Sequence, residues 1–223
     1  MEFRDRLNQA DALVKIVDNH IWEPLSERIS IVPFGYETHI PDAIRKQMRF
    51  LRTVTSRFIR FTPDYFVLDK EYLKKIYLLE YKTTQTPIYS KSRISMIGRA
   101  GGVPCIDWKD IGQMEADAYD NYMAMQSLGV KVAVLNYCAY HSLVLLCDYI
   151  ENIQLLHRDK VTTVTQTGSR TPFVNFNCKS MRILHKFIQD EHGIDVGTQT
   201  HMAACEELQR QLPVKHHRNS PYS

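Results

Sequence analysis

The run from Thr62 to Thr84, TPDYFVLDKEYLKKIYLLEYKTT, constrains the fold more than any other stretch of the chain. Two apolar segments, YFVLD and KIYLLEYKTT, flank a short charged turn, which is the pattern of two paired strands. The second segment is strongly apolar, yet Glu80 and Lys82 interrupt it. Residues two apart in a strand share a face and stand roughly 6.6 Å apart along its axis. Glu80 and Lys82 are therefore expected to point one way, with Tyr77, Leu79 and Tyr81 on the opposite face. Asp64 heads the first strand, so hairpin pairing would bring its carboxylate toward Glu80. Two carboxylates that close repel each other unless a cation lies between them. Hard oxygens with room for water and phosphate suit Mg²⁺, and a nearby lysine can orient water or offset developing phosphoryl charge. The competing reading is an edge strand carrying solvated charges.

The rest of the chain supplies the context. Leu7, Ala10, Leu13, Val14 and Val17 recur at helical spacing and predict an amphipathic helix over residues 3–20. ISIVPF reads as a short strand, and a second helix is expected from Pro41 through Leu51. Residues 85–107 are rich in Ser, Gly and Pro and read as a long loop. Residues 108–129 read as one helix ending at Gly129, followed by two apolar strands in VKVAVLNYCAY and SLVLLCDYI. A last helix is expected over residues 178–192, with a polar, flexible tail from about residue 213. This order predicts an α/β protein, a mixed central β-sheet flanked by helices on both faces. At 223 residues, with no evident linker, the chain is expected to form a single domain over 1–223.

Composition excludes several classes. No apolar run approaches the roughly 20 residues of a membrane span. The N-terminus is charged and amphipathic, without the apolar stretch of a signal peptide. A cytoplasmic, membrane-free protein is the expectation. The five cysteines never form a CxxC pair, so free thiols are expected rather than a zinc site. The net charge of +3 hides a segregation: residues 43–60 hold six bases and no acid, and residues 82–106 hold four and no acid. Two acid-free basic segments flanking an acidic motif point to a polyanion. Arg45, Arg49, Arg52, Lys91, Arg93 and Arg99 are the candidate nucleic-acid contacts.

Pro63-Asp64 followed by Glu80-Tyr81-Lys82 resembles the signature of the PD-(D/E)XK nuclease superfamily, and the resemblance covers roughly residues 28–150. It implies a restriction-endonuclease-like α/β/α core. It also implies that Asp64 and Glu80 bind metal and that Lys82 is the catalytic lysine. The backbone carbonyl of Tyr81 would be a further metal ligand. Many members add an acid on an upstream helix, for which Glu37 is the candidate, with Glu23 and Glu27 as rivals. The QxxxY helix of RecB-like members is not kept, because Gln113 is followed at that distance by Asp117 and the tyrosine is Tyr119. The compact size is closer to archaeal Holliday-junction resolvases and to small viral or restriction-type nucleases, the viral case placing the chain in an infected cell. The resemblance thus implies a Mg²⁺-dependent endonuclease, with Mn²⁺ as substitute, acting as a homodimer on branched DNA. The alternatives are a catalytically idle DNA-binding or assembly module of the same fold, or an RNA-directed nuclease.

Overall fold

The computed structural model describes residues 11–35, 61–73, 75–84, 91–138, 145–159 and 172–212, with the single positions 44, 53, 55 and 59. Helix α1 (residues 11–17) runs into a π-helical turn, Asp18–Trp22. Strands β1 (Ile29–Pro33), β2 (Tyr65–Asp69) and β3 (Ile76–Thr84) follow. The chain continues through α2 (Lys91–Ala100), β4 (Ile111–Glu115), α3 (Ala116–Ser127), β5 (Val132–Cys138) and β6 (Leu145–Tyr149). It ends with β7 (Leu155–Arg158), β8 (Phe173–Asn177), β9 (Arg182–Ile183), α4 (Leu184–His192) and α5 (Thr198–Gln211). The second helix expected from Pro41 to Leu51 falls outside the described residues except at Ile44, and the tail from residue 213 lies wholly outside them.

A six-stranded mixed sheet runs in the order β1-β2-β3-β5-β6-β9, beside a three-stranded sheet in the order β4-β8-β7. β1, β2 and β3 form an antiparallel meander, β3 pairs in parallel with β5, and β5 and β6 form an antiparallel hairpin. The parallel pair requires a crossover, and α2, β4 and α3 make it. Central β5 reads as a near-continuous apolar run, broken by Asn136, because both of its faces are covered. On one face, Leu79, Leu135 and Cys147 pack with Leu13 and Val17 of α1, Phe187 of α4 and Leu208 of α5. On the other, Leu78, Val134 and Leu146 meet Tyr122 and Met125 of α3 and Met114, Val174 and Phe176 of the small sheet. Helix α2 lies on the outer side of that small sheet, through Ile97 against Ile111 and Leu156. The fold is therefore mixed α/β, with helices on one face of the large sheet and a helix plus a second sheet on the other.

Three expectations need correction. Residues 85–107 are not one loop, because Lys91–Ala100 is helical. The glycine that reads as a loop signal there is a packing device: a Cβ on Gly98 would stand 2.3 Å from the carbonyl oxygen of Val103. Residues 108–129 are not one helix. Ile111–Glu115 is a strand, and its ladder with β8 overrides the helical propensity of Gln-Met-Glu. Residues 178–192 divide into a 3₁₀ turn, strand β9 and helix α4, and α4 ends at Gly193 with φ of 66°. Helix α5 is an addition that the sequence reading did not contain.

Candidate active site

Asp64 sits where β2 begins, directly after Pro63, and its position is fixed from two sides. Its carbonyl accepts the N–H groups of Phe34 and Gly35 at 2.8 and 2.9 Å, where the chain leaves β1. Gly35 permits this approach, since a Cβ there would meet the Asp64 Cα at 3.0 Å. The Asp64 carboxylate accepts the Tyr81 N–H at 2.9 Å, in place of the ladder bond that β2 would supply one residue further. A strand residue's N–H and C=O point to the same edge, so the Tyr81 carbonyl faces the edge where Asp64 stands.

Alternation along β3 sends Leu79 and Tyr81 into the helix-covered core and Leu78 into the other. Glu80 and Lys82 share the face of Leu78 and are paired with each other. Glu80 is buried, at 5% exposure, and also bonds the hydroxyl of Tyr122 on α3. Burial acts to lower the Lys82 pKa, but the charges of Glu80, Asp64 and Glu115, with the Glu80 hydrogen bond, hold it up at about 12. Tyr122 is pushed well above its ordinary value by burial first, then by Glu80. Lys82 is thus a fixed positive charge among carboxylates, suited to binding or stabilising an anion rather than to taking a proton.

The structure brings Asp64, Glu80, Tyr81 and Lys82 together on two adjacent strands. It does not bring the rival upstream acids with them. Glu23 lines a cavity with Ile31 and Tyr65, which pack on the opposite face of the sheet. Glu27 is exposed, and Glu37 lies outside the described residues. Arg45, Arg49 and Arg52 also fall outside them, whereas Lys91, Arg93 and Arg99 are exposed on α2. Arg93 is paired with Asp159 at 2.8 Å, and Arg99 donates to Ser95. Gln113 is turned to Asn175 at 2.8 Å.

Sequence reasoning missed Glu115 and Tyr122. Both belong to the crossover, Glu115 at the N-cap of α3 and Tyr122 two turns on. The helical spacing of seven between them is their one sequence signal, and it marks a shared face without saying what that face meets.

Among the described residues, no group of three or more His, Cys, Asp or Glu side chains is arranged to hold a metal ion. Mg²⁺ needs fewer protein ligands, being held by one or two carboxylates with water and substrate phosphate. The donor set of Asp64, Glu80 and the Tyr81 carbonyl fits it in chemical type. No protein-family model, curated protein or solved structure matches the chain. Among the described residues, no helix is long and apolar enough to cross a membrane.

Proposed function

We propose that the chain is a Mg²⁺-dependent endonuclease of the PD-(D/E)XK type, hydrolysing DNA phosphodiester bonds. The observation that carries this reading is the convergence of Asp64, Glu80 and Lys82 at one point of two neighbouring strands. The chain order also agrees: an upstream helix, the Pro63-Asp64 step, the Glu80–Lys82 strand, a crossover bearing a helix, then the β5–β6 hairpin. Asp64, Glu80 and the Tyr81 carbonyl would hold the ion. Bound there, Mg²⁺ supplies Lewis acidity and a more acidic water. Lys82 places its ammonium beside the scissile phosphate and stabilises the charge that grows on it. Tyr122 and the Lys82 pair fix the orientation of Glu80. Exposed Lys91, Arg93 and Arg99 supply contacts to flanking phosphates, as do Arg45, Arg49 and Arg52.

The test is cleavage of linear, branched and four-way DNA with Mg²⁺ or Mn²⁺, and with EDTA. Asp64→Ala, Glu80→Ala and Lys82→Ala are each expected to lower the rate by a factor on the order of 10² to 10⁴. Full activity in EDTA, or in Glu80→Ala, would refute the assignment. A second reading, an idle DNA-binding module of the same fold, is favoured by the way Lys82 and Tyr122 already satisfy the Glu80 carboxylate. DNA binding without cleavage under every metal condition would select it.

Homodimeric action on branched DNA belongs to the same proposal, because a two-fold pair of sites cuts two strands in one encounter. The apolar residues of β5, β6 and β8 are largely core and are not free for a dimer face. A dimer face would draw on residues such as Val32 and Phe34, exposed at β1. Light scattering is expected to give twice the chain mass at micromolar concentration. A monomer that only nicks branched substrates would remove the dimer and leave the nuclease reading in place.

A further inference from the structure

A cavity of about 330 Å³ opens on the face of the large sheet opposite Glu80 and Lys82. Asp18, Trp22 and Glu23 from the turn after α1 line it, with Ile31 and Pro33 of β1 and Tyr65 of β2. Its floor is aromatic. Tyr65 meets Tyr81 edge to face at 5.0 Å, and the Trp22 indole donates to the Tyr81 hydroxyl at 2.8 Å. Its charge is of one sign: Asp18 and Glu23 line it, and among the described residues no basic side chain does.

Asp18, one of the two acids in its lining, is weakly satisfied among the described residues. Among the described residues the Asp18 carboxylate takes one hydrogen bond, from the Tyr81 hydroxyl at a long 3.4 Å, and forms no ion pair. Asp18 also opens the π-helical turn, in which the Glu23 N–H reaches back to the Asp18 carbonyl. A π-turn is a rare backbone form that is frequent at functional sites.

From this geometry we propose that the cavity binds an aliphatic ammonium group, its head against Asp18 and Tyr65 and its methylene stem along Ile31 and Pro33. A half-buried carboxylate with no cation beside it among the described residues gains a partner, and an aromatic wall adds attraction for a desolvated ammonium. The same chemistry is carried by a free polyamine and by a lysine side chain of a partner protein. Tyr65 directly follows Asp64 in sequence, so an occupant of this cavity touches β2, the strand that Asp64 heads, from behind.

The experiment needs neither metal nor DNA, so its outcome is independent of the nuclease reading. Trp22 and Trp108 are the two tryptophans, so Trp108→Phe leaves Trp22 emission as a reporter at the cavity wall. Titration with putrescine and with an N-acetyl-lysine amide is expected to give saturable changes, with the tighter ligand at a Kd below about 1 mM. Neutral 1-butanol is expected to give none. Tighter binding of putrescine identifies a polyamine, and tighter binding of the lysine amide identifies a protein side chain. Asp18→Asn should weaken binding at least about tenfold with an unchanged melting curve, and Tyr65→Leu, which removes the aromatic wall, should weaken it as well. No saturation below about 10 mM for either ammonium, or equal binding by Asp18→Asn, would overturn the proposal.

Discussion

Lys82 and Glu80 satisfy each other across one strand face, so each substitution there has a folding effect and a chemical effect that can be separated. Lys82→Met leaves the nearly buried Glu80 carboxylate with Tyr122 as its remaining polar support among the described residues. Loss of a charge-assisted bond of this kind costs about 1–3 kcal/mol. Glu80→Gln keeps an acceptor for Tyr122 and for Lys82, whose charge Asp64 and Glu115 still offset, so it should cost less stability than Lys82→Met while losing cleavage. Urea denaturation, read beside the cleavage rate, should place Lys82→Met low on both scales and Glu80→Gln low chiefly on activity. Equal destabilisation by the two would mean that the pair acts only in folding. The shared face of Glu80 and Lys82 was legible from sequence because strand alternation is a local rule, and the place of Asp64 beside them because hairpin pairing is one too. Glu115 and Tyr122 were not, because only the packing of α3 on the sheet brings them to Lys82.

At the scale of elements, the apolar strands were readable and the crossover was not. β2, β3, β5 and β6 announce themselves by dense branched and aromatic residues. β4 carries Gly112, Gln113 and Glu115, a composition that fits a helix or a loop as well as a strand, and its partner β8 lies some sixty residues away. Helix α2 is hidden by its Ser and Gly content, since Gly98 buys close contact with Val103 at the expense of helical propensity. Gly112 records the same long-range demand, because a Cβ at that position would stand 2.3 Å from the Phe176 ring. Gly112→Ala must displace a fully buried ring, and overpacking of this sort costs about 1–3 kcal/mol. Chemical denaturation should report that loss. A neutral Gly112→Ala would mean that β4 does not pack on β8 in the register given.

For the whole molecule, the helical layer and the large sheet are joined through a buried polar triad. The His192 Nδ1 bonds Asp69 at 2.8 Å, and its Nε2 bonds the Tyr77 hydroxyl at 3.1 Å. Asp69 ends β2, Tyr77 lies in β3, and His192 closes α4. Both His192 and Asp69 are sealed from solvent, and Asp69 also accepts the N–H groups of Glu71 and Tyr72. Burial, against the pull of Asp69, lowers the His192 pKa below 6.5, so the imidazole stays neutral in the fold. Asp69, which burial alone would raise, is held below 3.8 by the His192 hydrogen bond and the two backbone donors. Both shifts act in the same sense. Below about pH 6.5 the unfolded chain takes up a proton at His192 that the fold refuses, so stability falls as pH drops from there. Below about pH 3.8 the unfolded chain also protonates Asp69, and a second loss is added. Each refused proton contributes a slope of up to about 1.4 kcal/mol per pH unit. His192→Gln should flatten the upper part of the profile, between the unfolded value of 6.5 and the lower value in the fold, and leave a smaller loss below about pH 3.8, where the backbone donors of Glu71 and Tyr72 still hold Asp69 down. Urea denaturation from pH 7.5 to 3.5 on both proteins measures this. Identical slopes for wild type and His192→Gln between pH 6.5 and 5 would show that the triad does not govern the acid sensitivity of the fold.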